Sequence, residues 1–167
     1  MKLKHLIGGI GLLSLATVGV AVAQTPDEDV AFAEALWAEM EAANLVGDNL
    51  IGAVPYPREG EAHGATLVTL VQDLTVDGVT GQVVVKRSYG DDATREEIVG
   101  DPGANLTNVT VMFEREGYAP DAGDWFWAMY MPTGAVGVFN ETSMAGQVEG
   151  CTGCHSEAPN GNYTFLF

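Results

Sequence analysis

Cys151-Thr152-Gly153-Cys154-His155, a C-x-x-C-H run ending twelve residues before the C-terminus, constrains this chain more than any other stretch. Two thiols three positions apart can each add to a vinyl group of a haem. The adjoining imidazole then reaches the iron from one face and leaves the other for a ligand or substrate. Thr152 and Gly153 are small, and the glycine lets the backbone pass close to a flat macrocycle. A disulfide or a redox dithiol is the competing reading, since Cys151 and Cys154 are the only cysteines. A redox dithiol, however, needs no histidine after its second cysteine and usually sits in a βαβ pattern. Zinc would want four ligands, and a second ligand pair is missing. The pentapeptide therefore reads as the covalent attachment site of one haem c per chain, with His155 as axial ligand of the iron.

The 167 residues suit one domain. Lys2 and Lys4 form a positive n-region, Leu6 to Val22 is apolar, and Ala21-Val22-Ala23 offers an A-x-A cleavage site. The apolar run is short for a membrane anchor, so residues 1–23 are expected to be a signal peptide that is removed. Export to a bacterial periplasm agrees with covalent haem attachment. What remains divides into an N-terminal helix and loop over 24–60 and a haem-binding β region over 61–167, together one domain. Cleavage removes two lysines and no acids, taking the formal charge from −16 to −18. Such acidity argues against nucleic acid or anionic membrane as partners and suits a basic redox partner. The mature chain keeps one lysine, Lys86, and two histidines, His63 and His155.

Thr25-Pro26-Asp27-Glu28 predicts a helix start, with Thr25 as N-cap and Pro26 in the first turn. Val30, Ala33, Trp37 and Met40 continue it at helical spacing, and Gly47 is the expected stop. Residues 47–65 are loop-like. From Thr66 the period changes to that of strands, over 66–71, 82–89, 106–115, 124–131 and 135–139. Turn signals such as Asp77-Gly78 and Pro132-Thr133-Gly134 separate them. The fold class is α+β, mostly β: an antiparallel sheet of about five strands with an N-terminal helix and a C-terminal haem site. Neither a small helical cytochrome nor a four-helix cytochrome fits this pattern.

Strand parity sets Val83, Val85, Arg87 and Tyr89 on one face, with Val84 and Lys86 on the other. Likewise Val109, Val111 and Phe113 oppose Asn108, Thr110 and Met112. The run from Asp124 to Met131 is apolar on both sides, as expected for a strand covered by helix on one face and haem on the other. Trp125 and Trp127 are candidates for the haem pocket or for simple core. Lys86 follows a valine triplet that should be buried. A lysine amine desolvated beside a porphyrin loses basicity and becomes nucleophilic.

These residues resemble the cytochrome P-460 family and its relatives, the cytochromes c′-beta. The resemblance is carried by His63-Gly64-Ala65, Gln82-Val83-Val84-Val85-Lys86, Asn108 to Met112, Gly117-Tyr118 with Gly123 to Tyr130, Cys151 to His155, and Asn162-Tyr163-Thr164-Phe165. It implies a c-type haem on an antiparallel sheet, usually in a homodimer, with His155 as proximal ligand and an open distal face. In the P-460 branch a lysine at the position of Lys86 is joined covalently to a meso carbon of the haem, and hydroxylamine is oxidised. The c′-beta branch instead binds nitric oxide or carbon monoxide at five-coordinate iron.

The expected function is therefore that of an exported haem protein that oxidises hydroxylamine or binds nitric oxide. Lys86 is the cross-link candidate, and Thr110 and Met112 face the distal side. Thr110 stands where the P-460 enzymes carry a distal carboxylate, and a hydroxyl is a poor base. Glu114 and Glu141 are the substitutes at hand. A non-catalytic gas binder and a plain electron carrier are the alternatives. The carrier would need a sixth ligand such as Met112, Met129, Met131 or Met144.

Overall fold

The computed structural model describes residues 26–58 and 62–166. The expected signal peptide and the Thr25 cap lie outside the described residues. Among the described residues no helix is long and apolar enough to cross a membrane.

Helix α1 (Pro26–Ala42) buries Phe32, Ala33, Leu36 and Met40. Asp29 completes this stripe, which is why the apolar spacing alone shifted it toward Val30 and Trp37. The carboxylate tolerates burial because Tyr118 Oη donates to it at 2.8 Å. The helix ends at Ala42, ahead of Gly47, where Asn44 takes a left-handed conformation at φ 58° and Leu45 N–H returns to Met40 O.

The sheet grows from one long hairpin. Strands β2 (Thr66–Val76) and β3 (Val79–Tyr89) pair antiparallel over their full length. Asp77 at φ 49° and Gly78 at φ 80° join them, and two successive positive φ values are what a two-residue I′ turn requires. Both strands run further than the apolar signal because Gln72, Asp73, Thr75 and Thr80 lie on their half-exposed ends. Strand β1 (Tyr56–Pro57) flanks β2, and β4 (Leu106–Glu114) and β5 (Trp125–Tyr130) extend the other side.

The last place is not taken by 135–139, as the sequence led us to expect. Val136 makes only an isolated bridge to Tyr130. Val138–Phe139 (β6) instead pairs with Thr142–Ser143 (β7) in a separate hairpin, and Ala145–Gly146 (β8) closes the sheet in the order β1-β2-β3-β4-β5-β8. Gly137 interrupts the run: it packs on Met129 where a Cβ would collide. A short helix α2 (Arg95–Gly100) stands between β3 and β4, started by a Thr94/Glu97 capping box. The architecture is thus the expected mostly β, antiparallel α+β fold.

The sheet has two different faces. One carries Val83, Val85, Val109, Val111, Phe113 and Phe126 against α1, the main core. The other carries Val84, Met112, Trp125 and Trp127 toward the C-terminal helix α3 (Glu149–His155). Arg87 is on the core face and fully buried. Its guanidinium donates twice to Leu45 O and once to Ile51 O at 2.7 Å, tying the loop after α1 to the sheet.

Candidate haem-binding site

Helix α3 carries the whole C-x-x-C-H run. One helical turn brings Cys151, Cys154 and His155 to one side of it. Both thiols are free: Cys151 is half-buried and Cys154 exposed. Burial raises the Cys151 thiol pKa, and Cys154 adds to the rise. His155 is buried, and its Nδ1 lies 2.7 Å from Tyr163 O. A carbonyl can only accept, so Nδ1 carries the proton and Nε2 keeps its lone pair. Nε2 makes no hydrogen bond among the described residues. Burial lowers the His155 pKa, partly opposed by the Tyr163 carbonyl, so the ring is held neutral.

What holds that carbonyl in place is the segment after α3. Trp125 Nε1–H donates to Asn162 O at 2.9 Å, and Tyr163 Oη donates to Asp121 O at 3.1 Å. Tyr163 itself sits at φ 62°. The C-terminal residues are thereby strapped to β5 and to the turn before it, and His155 is oriented through the strap.

Facing α3 across a cavity of ≈ 180 Å³ is the haem-side face predicted by strand parity, with Val84, Lys86, Thr110, Met112 and Trp127 in its wall. Lys86 and Thr110 are directly opposed partners on β3 and β4. Burial, helped by Arg58, pulls the Lys86 pKa from 10.5 down to about 8, with Cys154 acting weakly the other way. The indole N–H of Trp127 is buried without a partner, and its ring centre is 4.7 Å from that of His155. Trp125 belongs to the same apolar cluster but not to the cavity wall. Of the methionines considered as sixth ligands, Met112 alone lines the cavity; Met129, Met131 and Met144 do not. Glu114 and Glu141 are exposed and away from it, and among the described residues no carboxylate lines the cavity.

One wall residue was named in the sequence reading, as one of two remaining histidines and in the resemblance, but was given no role in the site. His63 enters the cavity from the loop before β2, with Nδ1 3.1 Å from Thr110 Oγ1. Its ring centre is 6.1 Å from that of His155. Burial first, then Lys86, Arg58 and His155, lowers its pKa from 6.5 to about 3, so it is neutral at any physiological pH. The available signal was its scarcity, as one of two histidines after residue 5.

The donor set fits a c-type haem. Two unpaired thiols flank a neutral imidazole with a free Nε2, an apolar cavity lies beyond them, and an orphaned indole N–H stands in its wall. The family model described as Cytochrome P460 matches residues 65–166. No curated protein and no solved structure matches the chain.

Proposed function

The chain belongs to the cytochrome P460 family, so it is a haem protein, and from that premise we propose that it is exported to the periplasm and oxidises hydroxylamine at its haem. Cys151 and Cys154 would tether one haem c per chain through thioethers, and His155 Nε2 would ligate the iron. A haem bound there would supply a binding position for the small nitrogen compound and a route for its electrons to an external acceptor. The chain's own residues do the rest. Tyr163 O fixes the tautomer and direction of His155. Val84, Met112 and Trp127 exclude water from the cavity. Lys86 is the residue that would be joined to the macrocycle, its amine N–H and a ring C–H giving way to an N–C bond with two electrons passed to an external oxidant. The surface, at −18 after loss of the signal peptide, favours a basic redox partner, and a homodimer is the expected assembly.

The observation that carries this reading is Lys86. A buried amine with no acid partner in its cavity is costly unless it reacts, and a pKa near 8 leaves about a tenth of it neutral and nucleophilic at pH 7. The second reading is a nitric oxide or carbon monoxide binder without turnover, and the cavity favours it in one respect, its lack of a carboxylate base. The test is peptide mass spectrometry of the mature protein with an assay of hydroxylamine oxidation. Lys86 and the Cys151–Cys154 peptide on one porphyrin, with turnover lost in Lys86→Ala, is the expected result. Separate peptides, and turnover unchanged in Lys86→Ala, would reject it.

A further inference from the structure

Asn162 is exposed, and nothing in its surroundings obliges its side chain to bond the protein rather than water. Its Oδ1 nevertheless accepts from both donors of Thr164, the backbone N–H at 3.1 Å and Oγ1–H at 2.7 Å. A side-chain oxygen bonded to the N–H two residues on is an Asx turn, a local geometry that asparagine favours. Here the turn spans Tyr163 and accompanies its φ of 62°, a conformation uncommon for a residue with a Cβ. Thr164 is buried, and its Oγ1 also accepts from Asn160 Nδ2 at 3.3 Å; Asn160 Oδ1 in turn accepts from Asn162 N–H at 3.3 Å. Three polar side chains thus close around the residue whose carbonyl meets His155.

Asn162 fixes the segment from its other side as well. Its own carbonyl accepts from Trp125 Nε1–H, so the residue is bonded to β5 through its backbone and to Thr164 through its side chain. Between those two anchors the Tyr163 carbonyl is directed at His155 Nδ1, 2.7 Å away. The same segment lays Phe165 against the imidazole, with ring centres 5.2 Å apart and planes at 73°. A hydrogen bond from the nitrogen that does not ligate raises the basicity of a metal-bound imidazole. At a haem, hydrogen bonding behind the axial ligand is one of the protein's means of setting the reduction potential. A firmer Nδ1–H···O bond makes the ring a stronger donor and favours ferric iron.

We propose that Asn162 is a positioning residue for the axial histidine: its Asx turn holds the Tyr163 carbonyl on Nδ1 and thereby sets how strongly His155 donates to the iron. The inference rests on the haem reading above and deepens it, because the potential of the iron decides how readily it takes electrons from the small nitrogen compound. Asn162 lies outside the cavity wall and acts through the Tyr163 carbonyl. The role needs an acceptor oxygen at that position, which aspartate supplies and alanine lacks.

The experiment uses the haem-loaded wild type and its Asn162→Ala, Asn162→Asp and Arg87→Met variants. It measures the reduction potential by spectroscopic titration and the iron–imidazole stretch of the ferrous protein by resonance Raman. Asn162→Ala should shift the ferrous-to-ferric ratio roughly tenfold, raising the potential by about 59 mV for one electron, and should lower the stretching frequency. Asn162→Asp should show the wild-type stretch, with a potential at or below the wild-type value because of its added negative charge. Arg87→Met loosens the opposite face of the sheet and should change neither readout, which separates positioning from a general loss of stability. If Asn162→Ala fails to load haem, Thr164→Val takes its place: it keeps the N–H bond to Oδ1, loses the hydroxyl bond, and should move both readouts the same way by a smaller amount. Wild-type readouts in Asn162→Ala, or in Thr164→Val where it stands in, overturn the proposal alone. So does an Asn162→Asp that matches Asn162→Ala, or an Arg87→Met that moves both readouts as far. A colourless wild type overturns both this proposal and the haem reading beneath it.

Discussion

Replacing Lys86 with methionine should make the protein more stable and less functional at once. The folded environment lowers the amine from 10.5 to about 8, chiefly through burial. At about 1.4 kcal/mol for each tenfold change, the charged form is disfavoured on folding by roughly 3 kcal/mol. The side chain is only partly buried, and solvent screening trims this to about 1–2 kcal/mol. Methionine keeps the length of the stem and suits a wall that already contains Val84 and Met112. The sign with pH follows directly. Below pH 8 both the folded and the unfolded amine are charged, and the whole penalty applies. Between about 8 and 10.5 the folded amine sheds its proton first, so the wild type gains stability as the pH rises while Lys86→Met does not. Urea melts at pH 7 and pH 10.5, in a Cys151→Ser/Cys154→Ser background that leaves the amine free of haem, measure the gap. Lys86→Met should lead by about 1–2 kcal/mol at pH 7 and lose most of that lead at pH 10.5. A less stable Lys86→Met at pH 7, or a gap that ignores pH, would refute the reasoning.

Three further outcomes are expected. The folded pKa of His63, near 3, lies below its unfolded value of 6.5, so stability should fall as the pH drops through that window. The His63 contribution at pH 5 is roughly 1–2 kcal/mol after screening, and it should vanish from the pH 8 versus pH 5 difference in His63→Phe. Arg87→Met strands the buried carbonyl of Leu45, at about 1–3 kcal/mol, and loses the part-buried bond to Ile51 O, at about 0.5–1.5 kcal/mol, so it should lower stability in urea by roughly 2–4 kcal/mol at unchanged strand content by circular dichroism. Trp125→Phe removes the bond to Asn162 O that tightens the strap behind His155. It should cost about 1 kcal/mol and perturb the axial-ligand bands of the haem spectrum.

Much of this architecture could be read from the residues, for identifiable reasons. Period-two alternation in Val83–Val84–Val85–Lys86–Arg87 and Val109–Thr110–Val111–Met112–Phe113 fixes which side chains face the core and which face the cavity. Parity carries that information without any knowledge of neighbouring strands. The Cys151–His155 run announces the haem site by itself. Other parts were hidden for equally physical reasons. Asp29 interrupts the apolar stripe of α1 because Tyr118, almost ninety positions away, makes its burial affordable. Helix α2 was legible as Thr94-x-x-Glu97, a capping box set among turn residues that masked it. β8 is two residues long and takes its place by pairing with Trp127 and Ala128, a contact no local pattern encodes. His63 joins the site only because the loop before β2 folds back onto Thr110, and one histidine in a loop has no period to betray it.

The most direct test of the account is the intact and peptide mass of the mature, purified protein. The expected result is one haem per chain, held by the peptide that contains Cys151, Cys154 and His155, with the Lys86 peptide joined to the same porphyrin. A colourless protein carrying no iron, with Cys151 and Cys154 bonded to each other, would contradict it.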